Sequence, residues 1–229
     1  MLCLALLQAR AWASPTVVEL FTSQGCNSCP PAEAYLGELA QRSDVLALSY
    51  HVDYWNYLGW KDPHALPVAT ERQRAYAKQL RLRTVFTPQM IIDGRTSLVG
   101  SDRRRVETRL GQGRELNLPV SVILEQDELV VLLGPDQSPA PADTLLIPYR
   151  RTAHSFIAAG ENRGLRLKEF NVVREVRNVG RTSAQSRRLS VAIDSIPPDA
   201  TDVAVLLQRP LQGEIVGAAQ VQVGSPRSR

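Results

Sequence analysis

The chain has 229 residues, 44% of them hydrophobic, with 27 basic and 23 acidic side chains and a net charge of +4. That is enough apolar material for one large domain or two small ones. The arginines are scattered, with short clusters at Arg103, Arg104 and Arg105, at Arg150 and Arg151, and at Arg187 and Arg188. They are not interleaved with aromatics on one element, which argues for a solvated surface and against nucleic-acid binding.

Residues 1–13 stand apart. Leu2 to Leu7 is apolar, and Ala11-Trp12-Ala13 matches a small-residue cleavage site. The segment reads as a secretory signal with Ser14 as the first mature residue, although no Lys or Arg precedes the apolar run. The expected location is the periplasm or outside the cell. No other run reaches the ~18 apolar residues of a membrane span. Of three cysteines, Cys3 would leave with the signal. A mature exported chain with one close pair, Cys26 and Cys29, suits a redox protein better than a disulfide-stapled scaffold.

The mature chain opens on a strand, Val17 to Phe21, apolar apart from Glu19. Cys26-Asn27-Ser28-Cys29 follows, then a helix to about Gln41 whose first turn holds Pro30 and Pro31. A helix N-terminus carries partial positive charge and unpaired N–H groups, so it favours a thiolate. Helical spacing turns Cys29 inward with Ala32, Leu36 and Leu39, and leaves Cys26 open to attack. A second strand, Val45 to Val52, is almost unbroken in its apolar character, as in a central strand covered on both faces. It leads into an aromatic loop from His51 to Trp60. Alternation puts His51 and Asp53 on one side, and Trp55 and Trp60 follow. A helix from Pro67 to Leu80, a strand from Gln89 to Ile92, an Asp93-Gly94 turn and a return strand from Thr96 to Val99 come next. Ser101 reads as the N-cap of a helix from Asp102 to about Leu110.

From about residue 115 the texture changes to seven short strands, 118–124, 129–133, 145–149, 170–176, 189–193, 203–207 and 215–223, separated by Gly- and Pro-rich turns. Regular strands without helices suggest an all-β sandwich or small barrel. The expected organisation is a signal over 1–13, an α/β domain over 14–113 and a β-rich domain over 114–229.

The dithiol has three readings. Reversible exchange would use Cys26 as the attacking thiolate and Cys29 as the resolving thiol. A static local disulfide and half of a metal site are the others, though structural zinc would need a second cysteine pair that this chain lacks. Glu19 is either a buried acid that relays the Cys29 proton or a strand-edge carboxylate. His51, Asp53 and Trp55 are candidates for the cleft above Cys26, with His51 able to tune the thiolate. His64 and His154 read as isolated structural or surface histidines. Gly160 to Gly164 and Arg174 form a polar patch, either a solvated turn or a dock for Glu161 with Arg163 or Arg174.

The β-α-β-α-β-β-α order, with C-x-x-C opening the first helix and Thr87-Pro88 before the third strand, resembles the thioredoxin fold over about 16–113. That resemblance implies a cis Pro88 beside the dithiol, and a Thr87 backbone that pairs with client peptide. A closer resemblance covers Val18 to Cys26, Tyr50 to Trp55, Gly59 to Asp62, Thr87 to Gln89 and Asn171 to Arg174. It is to a bacterial family of exported proteins of unknown function with a thioredoxin-like N-terminal domain and a β-rich tail. The resulting expectation is a thiol–disulfide oxidoreductase without a cofactor, acting on protein clients with a separate redox partner. The tail would select clients or form a homodimer surface. The competing reading is a copper-binding module using Cys26, Cys29 and His51, or a redox-inactive scaffold.

Overall fold

The computed structural model describes residues 14–113 and 116–224; the expected signal at 1–13 lies outside them. The first half runs β1 (Thr16–Thr22), α1 (Pro30–Leu39), β2 (Val45–His51), α2 (Pro67–Gln79), β3 (Gln89–Ile92), β4 (Thr96–Val99) and α3 (Arg103–Gly111). β1 pairs parallel with β2 and antiparallel with β3, which turns back into β4. α1 is capped by Cys29 and has its two prolines in the first turn. The N-cap of α3 is Asp102, whose side chain accepts the Arg105 N–H, and not Ser101.

Alternation on β1 and β2 divides the core between two faces. Val18, Leu20, Ala47, Met90 and Ile92 pack against Leu36 of α1 and Val106 of α3. On the other face Val17, Phe21, Leu48, Tyr50 and Ile91 pack with Ala69 and Tyr76 of α2. Because both faces are covered, β1 and β2 lack the polar alternation of a half-exposed strand.

The second half holds β5 (Val120–Glu125), β6 (Glu128–Leu133), β7 (Asp143–Phe156), β8 (Arg166–Val173), β9 (Arg177–Arg181), β10 (Arg187–Ala192), β11 (Asp202–Gln208) and β12 (Ile215–Gln222). These strands do not form a free-standing sandwich, contrary to expectation. β8 joins β2 in parallel, with Ser49 opposite Val172, and the sheet continues through β7 and β11 to β12. Its order is β12-β11-β7-β8-β2-β1-β3-β4, with β9 also paired to β7. Among the described residues only β5, β6 and β10 make a separate sheet of three strands. It stacks on the far end of the large sheet, where Leu129, Val131 and Leu133 meet Leu146, Val203, Val205 and Leu207. The sandwich is therefore local. The α2-side core runs across the join, since Ile147, Tyr149, Val173, Ala204 and Leu206 belong to the same cluster as Phe21 and Tyr50.

β7 outruns the expected 145–149 because its second part, Arg150 to Phe156, pairs with β8 despite its polar composition. β9 was not expected. Its sequence, Arg-Asn-Val-Gly-Arg, has little strand character and owes its form to pairing with Asp143 to Leu146.

Candidate functional site

The site lies where β1 and β2 end, on the face covered by α1. Cys26 and Cys29 are joined in a disulfide. The loop before α1 is tightly turned, with the Cys26 N–H bonded to Ser23 O and the Cys29 N–H to Cys26 O. Pro30 and Pro31 carry no N–H, and the N–H groups of Ala32 and Glu33 both turn back to Cys29 O. The helix thus offers the dithiol its dipole but few free donors, in contrast to the unpaired N–H groups expected of a helix N-terminus. Cys29 is fully buried, as expected. Cys26 is only 2% exposed, which corrects the expectation of an open attacking cysteine.

Beneath this loop lies a buried polar cluster drawn from both halves of the chain. His51, on β2, points to the α1 side with Ser49 and Ala47. Its Nδ1 is 2.7 Å from Asp62 Oδ2, and its Nε2 faces Glu33 Oε1 at 3.7 Å and Glu169 Oε1 at 3.8 Å. Glu33 also accepts from Ser49 Oγ at 3.3 Å. Glu169, on β8, accepts from Gln24 Nε2 at 2.7 Å and from Ser155 Oγ at 2.7 Å. His64 stacks edge-on to His51, its centroid 5.4 Å away, and its Nε2 is 3.5 Å from Glu169 Oε2. Arg174 reaches the other nitrogen of His64 at 3.4 Å and pairs with Asp199 at 2.9 Å.

Charge and burial compete here. Burial alone would lower the His51 pKa, but Asp62, Glu33 and Glu169 outweigh it and lift it to about 9. Burial raises Glu33 above the usual carboxylate range, and the nearby His51 only partly offsets this. Asp62 is held below that range despite burial, by the charge and hydrogen bond of His51. Glu169 is likewise low despite its burial, through His64, His51, Gln24 and Ser155. The charged form of His51 is favoured, those of Asp62 and Glu169 are kept, and Glu33 is the carboxylate of the cluster with raised proton affinity.

The sequence-derived candidates fare unevenly. The Thr87–Pro88 bond is cis. The Trp55 Nε1 donates to Thr87 Oγ1 at 2.8 Å, and a side chain at Gly25 would meet Trp55 at 3.2 Å, so Trp55 bridges the dithiol loop and the proline. His51 joins the cluster. Asp53 does not. β2 ends at His51, alternation stops there, and the Asp53 carboxylate accepts from Thr70 Oγ1 on α2 at 2.6 Å. Glu19 lies on the opposite face of β1, paired with Arg72 Nε at 2.7 Å and hydrogen-bonded by Tyr76. It is buried, but the structure does not bring it to the cysteines. His64 is no isolated histidine, and Trp60 donates to Gln24 Oε1 at 2.9 Å.

Sequence reasoning missed Glu33, Asp62, Glu169, Gln24 and Asn162. Only Glu33 had a local signal. It lies four residues after Cys29, so it shares the inward face of α1. The polar patch at 160–164 does dock, but through a different residue. Glu161 and Arg163 are exposed, while Asn162 Nδ2 donates to Gln24 O at 2.8 Å and Cys26 O at 2.9 Å. Among the described residues no group of three or more His, Cys, Asp or Glu side chains is arranged to hold a metal ion. The His51 nitrogens face Asp62, Glu33 and Glu169, not the cysteines the copper reading would need. Among the described residues no helix is long and apolar enough to cross a membrane.

Among solved structures the chain is similar to an X-ray structure of a protein from Agrobacterium tumefaciens, at 34% identity and a TM-score of 0.80 over 95% of this chain and 98% of that one. No curated protein matches it. Residues 17–208 match the model of a family described as protein of unknown function, DUF1223, and the chain belongs to that family.

Proposed function

We propose that this protein is an exported thiol–disulfide oxidoreductase whose N-terminal half is thioredoxin-like. The observation that carries the reading is the Cys26–Cys29 disulfide at the β1–α1 junction, set over a buried cluster able to take up a proton. In the reducing direction the Cys26 thiolate attacks a client disulfide. A mixed disulfide forms, and the first client sulfur leaves as a thiolate. Cys29 gives its proton to Glu33 and attacks Cys26. The Cys26–Cys29 bond forms, the second client sulfur leaves, and two electrons have passed to the client. The oxidising direction is the reverse. Glu33 suits the proton's destination because it sits one helical turn from Cys29 on the same face, in an environment that penalises its charge. Thr87 and Trp55, beside the proline, would receive the client chain. No cofactor enters this scheme.

Replacing Cys29 by Ser removes the resolving step. The Cys29→Ser protein, expressed with its export segment, should accumulate mixed disulfides through Cys26 that a reductant dissolves. An absence of trapped species, with a Cys26 pKa near that of free cysteine, would sink the reading.

A further inference from the structure

We propose that residues 157–165, between β7 and β8, are a gate over the disulfide, that Asn162 is its latch, and that the gate restricts which partners reach Cys26. The restriction of partners rests on the exchange reading, whereas the gate itself rests on geometry. Cys26 is in the loop that precedes α1, where an attacking sulfur needs room for an in-line approach, yet it is 2% exposed. The side chain that reaches its backbone from outside the first half is Asn162, 4% exposed, which bonds the carbonyls of Gln24 and Cys26 with one amide nitrogen.

Little else holds the segment down. Ile157 is buried at its base, but from Ala158 to Arg166 every residue except Asn162 is exposed or half-exposed. The segment is tied mainly to itself, through Gly164 N–H to Ile157 O at 2.8 Å, Arg163 N–H to Gly160 O at 3.2 Å and Leu165 N–H to Asn162 O at 3.1 Å. It can therefore move as a unit. Gly160 and Gly164 flank the latch with φ of 75° and 88°, a region open to glycine with little penalty. A segment with one buried polar anchor and few apolar contacts belongs to the low-stability end of a protein, from which opening elements are drawn. Breaking the latch costs two hydrogen bonds, so removing it should raise the open population roughly tenfold or more.

The test is the rate at which the native disulfide is reduced by two probes, dithiothreitol and reduced thioredoxin. Asn162→Ala should accelerate reduction by the protein probe roughly tenfold and by dithiothreitol clearly less, because the small probe needs a smaller opening. Glu161→Ala, on the same segment but exposed, should change neither rate. Equal acceleration by both probes, or none, overturns the gate while leaving the exchange reading intact. If Cys29→Ser traps no client but Asn162→Ala still opens access selectively, the gate stands and the exchange reading falls. Should Asn162→Ala fail to fold, Asn162→Ser, whose shorter side chain cannot bond both carbonyls, decides through the same pair of rates, and equal rates with both probes again overturn the proposal.

Discussion

Glu33 is the residue on which stability and the proposed proton transfer make the most clearly opposed demands. Its carboxyl is raised by burial, so the ionised form opposes folding at neutral pH. Glu33→Gln keeps the shape and removes the charge. It should leave thermal stability at pH 7 unchanged or higher, yet slow disulfide exchange by roughly a hundredfold, the scale of a lost proton acceptor. Equal exchange rates in stopped-flow, or a stability loss without a rate loss, would place Glu33 in a structural role only. His51 has the opposite sign. Its folded pKa, about 9, lies above its unfolded value, so the stability it contributes is full below about pH 6.5 and is lost as the pH rises through about 9. Denaturant titrations between pH 6 and 10 should show this decline, and His51→Gln should flatten it. His51→Ala should cost about 3–5 kcal/mol, because Asp62 keeps the N–H groups of Gln24 and His64 but is left buried without its counter-charge.

At the scale of elements, α1 is held at a set distance from the sheet. A Cβ at Gly37 would stand 2.4 Å from the Phe170 ring on β8, so the close approach of helix and strand requires glycine there. Gly37→Ala should lower stability by about 1–3 kcal/mol through overpacking, in spite of the helix propensity it gains. A urea midpoint that does not fall would show that α1 can slide outward freely. Phe170→Leu should partly rescue the substitution. β8 begins and ends earlier than the strand expected at 170–176. Its inner residues, Glu169 and Asn171, are polar because they serve Gln24 and the carbonyl of Ala47, and polar residues at inward positions hide a strand from any apolar pattern.

Across the whole molecule, β8 closes the open edge of β2, and one core runs from Phe21 to Leu206. A fragment of residues 14–113 would expose that edge together with Leu48, Tyr50 and Tyr76. It should be unfolded or aggregated when made alone, as read by circular dichroism and size-exclusion chromatography. A sharp cooperative melt from that fragment would show two separable units. The cluster under the dithiol also spans the join. Glu33, His51, Asp62 and His64 come from the first half, and Ser155, Asn162, Glu169 and Arg174 from the second. The tail is thus part of the site's electrostatics and hydrogen bonding.

Local chemistry alone determined the strand–dithiol–helix unit, the order of the first seven elements and the inward turn of Cys29. These depend on neighbours within a few residues, on periodicity and on proline and glycine constraints. Tertiary structure decided the rest. Which face Glu19 takes, that Asp53 serves α2, that His64 has partners, and that Asn162 bonds the Cys26 carbonyl all depend on pairings more than ten residues apart. A carboxylate in a sequence carries no mark of what will neutralise it. That is settled only when the chain, paying the cost of burying charge, brings Glu33, Asp62 and Glu169 around one imidazole.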